Sequence, residues 1–244
     1  MNPFVPRMKP RYVIIDYRAN DEIINYLRKQ DIMPIKTIKC NDLQEGVNGH
    51  PDMVIHPIDE KSFIAAPNVY DYYYEVLSDI GIKVIKGGKT LCRNYPEDIA
   101  YNVARIGRYA VHNTHHTDQV LKYYLEEADI KFIHVKQGYS KCSVSALGDN
   151  KGITSDISIH EKLKSYNIDC MYINPEIVYL KGYNHGFIGG ATGLINQNIF
   201  LSTGLICDNN ILNCLKNFVI SAGCLYDEAS SQQIIDLGSI IPII

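Results

Sequence analysis

Apolar and polar positions along this chain repeat a four-part pattern. A short run alternates apolar with small or polar residues and ends on a turn residue. A second apolar run follows, then a stretch with apolar residues at helical spacing, then a run rich in β-branched and aromatic residues. The pattern predicts strand, strand, helix, strand. One copy reads NVARIG from Asn102 to Gly107, then Tyr109 to Val111, then TDQVLKYYLEEA, then KFIHV. Val120, Leu121, Tyr124 and Leu125 hold the helical spacing, and Thr114 to Asp118 supply helix-start chemistry. The next copy reads SVSALG from Ser143, then Gly152 to Thr154, then ISIHEKLKSY, then DCMYIN.

Two further copies are complete. DMVIHPI from Asp52 leads to SFIAA, an Asn68-capped helix YDYYYEVLSDI and IKVIKGG. GATGLI from Gly190 leads to NIFLST, NNILNCLKNFVISA and CLYDE. A partial copy opens the chain: YVIIDY, an Asn20-capped helix DEIINYLRKQ, then MPIKTI, with no first strand. The period of roughly 40 to 50 residues is that of blades in a closed array. The units fall at 11–40, 51–88, 101–137, 141–174 and 186–228. The apolar segment 234–244, IIDLGSIIPII, is read as the strand that completes the first unit and closes the ring, which removes an exposed edge. The expected architecture is one α/β domain over 1–244, a five-bladed pseudo-symmetric ββαβ propeller. An ordinary open α/β sheet is the alternative.

Composition narrows the function classes. The chain has 244 residues and a net charge of −3 with mixed signs, so no electrostatic footprint for nucleic acid is seen. No apolar run approaches eighteen residues and no signal-peptide pattern opens the chain, which implies a cytoplasmic protein with no membrane partner. The seven cysteines show no CxxC and no zinc-template spacing. No metal or other cofactor is expected from them, and they read as reduced thiols. His112, His115 and His116 sit on a predicted strand-to-helix turn without an acid or Cys at ligand spacing, and read as solvated loop histidines. Tyr70, Tyr72, Tyr73 and Tyr74 cover too much of one helix to form a single stripe, which leaves room for a homo-oligomer contact.

Five ββαβ units in a ring resemble the pentein superfamily of guanidino-group-modifying enzymes, with deiminases, amidinotransferases and a ribosome-associated factor among its members. The motif frame is most similar to the dimethylarginine dimethylaminohydrolases. Pro51, Asp52, Met53, Val54 and Ile55 match a Pro-Asp-x-Val-Phe pattern. Tyr139, Ser140, Lys141 and Cys142, followed by SVSALG, take the frame of His-x-Lys-Ser. The resemblance implies a central channel where a Cys thiolate attacks a guanidinium carbon, a His moves protons and carboxylates hold the cation. In that frame Ile99 replaces the Glu, Asn102 the Asp, Tyr139 the His and Gly190 the Cys, and His56 falls near the guanidinium-side acid. Glu97 and Asp98 lie beside the lost carboxylate.

The expected function is therefore a divergent, non-catalytic member with no catalytic residues that binds a small polar, amino-acid- or guanidino-like ligand in the channel. Asp52 would hold a cationic group and Lys141 an anionic one. Tyr139, Asn102 and His185 would supply neutral hydrogen bonds, with His56 and Asn184 nearby. Strand alternation turns Cys142 toward the blade if Tyr139 and Lys141 face the channel, as an inert packing thiol. A C–N hydrolase or amidinotransferase with a rearranged site, and a ribosome-type binding factor, are the alternatives.

Overall fold

The computed structural model describes residues 2–244. Each repeat is a three-stranded sheet with one helix on it, and the same local chemistry builds all five. In the first, β1 (Tyr12–Ile15) leads through α1 (Asp21–Lys29) to β2 (Met33–Lys36). In the second, a short α2 (Pro51–Val54) precedes β3 (Ile55–Pro57), β4 (Ser62–Ala65), α3 (Tyr70–Ser78) and β5 (Lys83–Lys86). The third runs β6 (Ala104–Ile106), β7 (Tyr109–His112), α4 (Gln119–Glu127), β8 (Lys131–His134). The fourth adds a short α5 (Ser140–Ser143) before β9 (Val144–Ala146), β10 (Lys151–Thr154), α6 (Ile157–Ser165) and β11 (Asp169–Tyr172). The fifth has a short α7 (Ile188–Ala191), then β12 (Thr192–Asn196), β13 (Ile199–Ser202), α8 (Asn209–Ile220) and β14 (Leu225–Glu228). The last strand is β15 (Ile241–Ile243).

Every long helix buries an apolar pair at i and i+4: Ile23 and Leu27, Tyr73 and Leu77, Leu121 and Leu125, Ile159 and Leu163, Leu215 and Val219. Each such side chain contributes about 1.5–3 kcal/mol on burial. Asn20, Asp118, Asp156 and Asp208 cap four of the helices by accepting from backbone N–H groups of the first turn. The predicted Asn68 cap does not form, because its amide group is taken by the backbone of Leu91. Each helix then stops on a positive-φ residue: Asp31, Gly81, Asp129, Asn167 or Gly223. The next residue bonds back five positions, as in Ile32 N–H to the Leu27 carbonyl and Ile168 N–H to the Leu163 carbonyl. Short Asp, Asn and Gly tolerate that left-handed backbone, so the same stop recurs with varied residues.

In four sheets the first strand runs antiparallel to the second, and the second parallel to the third across the helix. In the remaining sheet β15 pairs antiparallel with β1, Tyr12 opposite Ile243, and supplies the strand the opening repeat lacks. The innermost strands are β15, β3, β6, β9 and β12. They are shorter than the sequence pattern predicts. Asp52, Ser143 and Gly190 were expected to start strands, but lie in one-turn helices that deliver the chain into them. Asn102 ends a turn closed by its N–H on the Ile99 carbonyl, and the stretch from Asp236 to Ser239 is irregular, bent at Gly238, rather than strand.

His112 corrects a further expectation. It is fully buried in β7, with Nδ1 2.7 Å from Thr117 Oγ1 and Nε2 3.0 Å from the Gly138 carbonyl. His115 is exposed, as a loop histidine should be. Of the tyrosine cluster, Tyr73 is buried, Tyr72 bonds the Lys36 carbonyl and Tyr74 is exposed.

Candidate functional site

Five corners, one before each innermost strand, meet at one end of the axis and bond to each other in a closed circuit. Asn102 Nδ2 donates to the Asp52 carbonyl at 3.2 Å. Lys141 N–H donates to Asn102 Oδ1 at 2.8 Å, and Lys141 Nζ to the Gly189 carbonyl at 3.2 Å. Ser239 N–H donates to the Gly190 carbonyl at 2.8 Å, and Asp52 N–H to the Gly238 carbonyl at 3.2 Å. Each repeat is thus tied to the next, and the circuit is sealed by the C-terminal segment.

At the centre stand buried charges. Ser239 has φ of 80°, a left-handed conformation that a serine adopts at some cost in free energy. That backbone sets its hydroxyl 2.8 Å from Lys141 Nζ and 2.6 Å from Asp52 Oδ2. Lys141 and Asp52 are therefore bridged through one hydroxyl rather than paired directly. Burial lowers the Lys141 pKa, opposed by the Asp52 carboxylate. The Nζ also faces the Phe4 ring at 4.9 Å. Cys142 Sγ lies 3.2 Å from Asp52 Oδ2. Burial, with the Asp52 charge behind it, pushes the thiol well above its ordinary value.

Beside this centre opens a cavity of about 240 Å³, lined by His50, Tyr139, Cys142, Tyr183, His185 and Asp236 among others. At about 30 Å³ each it would hold about eight waters. Asp236 Oδ2 accepts from Phe187 N–H at 2.9 Å and Oδ1 from Gly238 N–H at 2.9 Å. Burial raises its pKa, with His50 opposing. The His50 ring is fully buried between two carboxyl groups. Its Nδ1 is 3.7 Å from Asp236 and its Nε2 4.0 Å from Asp16, whose carboxylate pairs with Arg18. Neither ring nitrogen has a hydrogen-bond partner among the described residues. Tyr139 OH donates to Asp98 Oδ2 at 2.7 Å, and burial raises the pKa of both groups. Donor atoms of His50, Asp52 and Cys142 all lie within 4.8 Å of one another.

The sequence-derived candidates divide. Tyr139, Asn184 and His185 line the cavity. Asp52, Asn102 and Lys141 form the buried circuit beside it. His56 is buried in β3, edge-on to Phe4 at 5.6 Å, and stays outside the cavity lining. Cys142 corrects its expected orientation: successive residues of a helical turn lie about 100° apart, not opposite as in a strand, so Lys141 and Cys142 both turn inward. His50, Asp236 and Ser239 were missed. The signal that existed was local: His50 directly precedes the Pro51-Asp52 motif, and Asp-x-Gly-Ser at 236–239 is turn chemistry.

The fold is of the pentein type, five small three-stranded sheets around one axis. The chain belongs to a family of unknown function (DUF6873), whose sequence model matches residues 14–241. No curated protein matches it. Among solved structures it is similar to the inosamine-phosphate amidinotransferase StrB1 from Streptomyces griseus, at TM-score 0.58 and 10% identity, over 100% of this chain and 95% of that one. It is also similar to agmatine deiminase from C. jejuni, at TM-score 0.57 and 10% identity, over 94% and 89% of the two chains. A citrulline complex of dimethylarginine dimethylaminohydrolase from Pseudomonas aeruginosa superimposes at TM-score 0.54 and 10% identity, over 90% and 91%. At these identities the likeness is one of fold.

Proposed function

We propose that the cavity binds a small polar ligand bearing a guanidinium- or ammonium-type group, without a covalent step. The observation that carries this reading is Asp236. Its carboxyl group lines the cavity over Gly190, in the place where the superfamily resemblance expects a cysteine. Both Asp52 oxygens are engaged by Ser239 and Cys142, so Asp236 takes the cation-holding role first read for Asp52. Three buried carboxyl groups, Asp16, Asp52 and Asp236, face two cations, Arg18 and Lys141. A cationic ligand balances that set, and buried charge needs such balance. Tyr139, Tyr183 and Phe187 line the same cavity with aromatic rings, groups that attract such a cation. Lys141 is turned away from the cavity lining, so the ligand's anionic end would meet Asn184, His185 or solvent.

A second reading rests on Cys142, a thiol that lines the cavity near His50. Its closest polar neighbours are the Asn102 amide, which donates to the sulfur at 3.1 Å, and the Asp52 carboxylate at 3.2 Å, rather than the imidazole. A thiolate there would face a like charge, which favours binding over nucleophilic catalysis.

Thermal shift with agmatine, arginine and guanidine tests both. A ligand at a hundredfold excess over its dissociation constant adds about 2.7 kcal/mol of stability. Asp236→Asn should remove the shift while the protein stays folded. A shift unchanged in Asp236→Asn sinks the first reading. Citrulline or ammonia release lost in Cys142→Ser would establish the second.

A further inference from the structure

We propose that His50, Asp52 and Cys142 form a zinc site at the floor of the cavity, a role that goes beyond the ligand reading. No spacing in the sequence announces it: the Asp52 and Cys142 positions are 90 apart in the chain, and only the ring brings them together. The three donors come from two corners. His50 and Asp52 flank the entry to α2, and Cys142 sits in α5.

Imidazole nitrogen, carboxylate oxygen and thiolate sulfur are the donor types zinc takes, at bond lengths of about 2.0–2.3 Å. Ligand atoms in a tetrahedral site at those lengths stand about 3.3–3.8 Å apart. The Sγ to Oδ2 distance, 3.2 Å, is already in that region. The whole set lies within 4.8 Å, so a small movement of the His50 ring completes it. A site for calcium or magnesium would be built of oxygens, and this one is not.

The second observation is the imidazole itself. It is fully buried, both nitrogens lack hydrogen bonds among the described residues, and it lines the cavity beside Cys142. A buried polar group left unpaired costs about 1–3 kcal/mol. A metal on one nitrogen relieves that, and leaves the other for an outer carboxylate. Asp16, 4.0 Å from Nε2, stands on the side opposite Asp236 to serve as that outer partner. Asp236 or a solvent molecule from the cavity would take the fourth position. Binding is balanced as proton exchange: Cys142 gives up its thiol proton to solvent as the sulfur–metal bond forms.

The test is titration of the whole, reduced, chelator-treated protein with Co²⁺ alone, followed by Zn²⁺. The expected result is tetrahedral cobalt absorption with a thiolate-to-cobalt charge-transfer band, saturating at one equivalent and abolished by one equivalent of Zn²⁺. Cys142→Ser should remove the charge-transfer band. His50→Gln should weaken cobalt binding at least tenfold with unchanged circular dichroism. Asp16→Asn should keep the band and weaken binding about tenfold. Replacing the exposed Cys92, Cys207 and Cys214 by Ser should leave the spectrum as it is. Octahedral cobalt spectra only, a band that survives in Cys142→Ser, or a band lost with the three exposed cysteines would each overturn the site. No organic ligand enters the experiment, so its failure leaves the cation-binding reading standing.

Discussion

The corners of the fourth and fifth repeats are one backbone device with different contents. In each, a single helical turn, Ser140–Ser143 or Ile188–Ala191, delivers the chain into an innermost strand. The fourth places Lys141 and Cys142 at the axis; the fifth places Gly189 and Gly190 there. Side chains at the fifth corner have no room. A Cβ on Gly190 would fall inside the Asp236 carboxyl group, and one on Gly189 would meet the Val144 and Lys141 carbonyls. The polar groups that one corner cannot carry arrive from elsewhere, from His50 before the second repeat and from Asp236 to Ser239 at the end of the chain. Chemistry on this scaffold is thus a property of the ring of corners, not of a fixed position within one repeat.

That contrast is open to direct test. The largest effect is expected at the charge network that Lys141 of the fourth corner joins and the fifth corner lacks. Asp52→Ala leaves buried Lys141 without a carboxylate and should lower unfolding free energy by about 3–5 kcal/mol in urea titration. A loss below about 1 kcal/mol would mean that Lys141 does not depend on Asp52. At the fifth corner the expected penalty is steric. Gly190→Ala should cost about 1–3 kcal/mol, and much of it should return in the Asp236→Ala background. Equal penalties in both backgrounds would show that Asp236 is not what fills the space.

A third test uses acid. His112 anchors Gly138, the approach to the fourth corner, and burial pulls its pKa down to about 3. The folded state then binds fewer protons than the unfolded chain below pH 6.5. His112 therefore supports stability fully above that value, and the support is lost as pH falls toward 3. Between pH 6.5 and 5 the loss should be about 2 kcal/mol, and His112→Asn should flatten that limb of the stability curve. The smallest effect is expected from Tyr139→Phe. It removes one hydrogen bond to Asp98 and should cost about 1 kcal/mol, with the cavity shape retained.

The sequence made the repeat legible because its signals are local. Helix caps such as Asn20, the i, i+4 pairs and the β-branched runs all act within a few residues. The C-terminal strand was readable as the apolar run with no other home. The short corner helices were not, because one turn carries no periodicity, and their residues read equally well as the start of a strand. That single ambiguity reversed the orientation of Cys142. Tyr139, Asn184 and His185 reached the cavity through motif position and glycine-rich context. His50 and Asp236 did not, since their local signals, a place before the Pro51-Asp52 motif and turn chemistry, do not say that a histidine will stand between two carboxyl groups. Asp52 meets Ser239 across 187 positions, a contact that exists only once the ring closes.

Phe4 sits against Lys141 Nζ and His56, and Asn2 donates to the Arg105 carbonyl of β6 at 3.0 Å. Both residues are buried beneath the layer of corners. The axis is therefore a cup and not a tube. The cavity that Tyr183 and His185 line stands on the other side of Lys141 and Cys142 from Phe4. If the cavity fills as proposed, a metal on Cys142 and a cation on Asp236 would share one small space, and each would then tune how fast the other leaves.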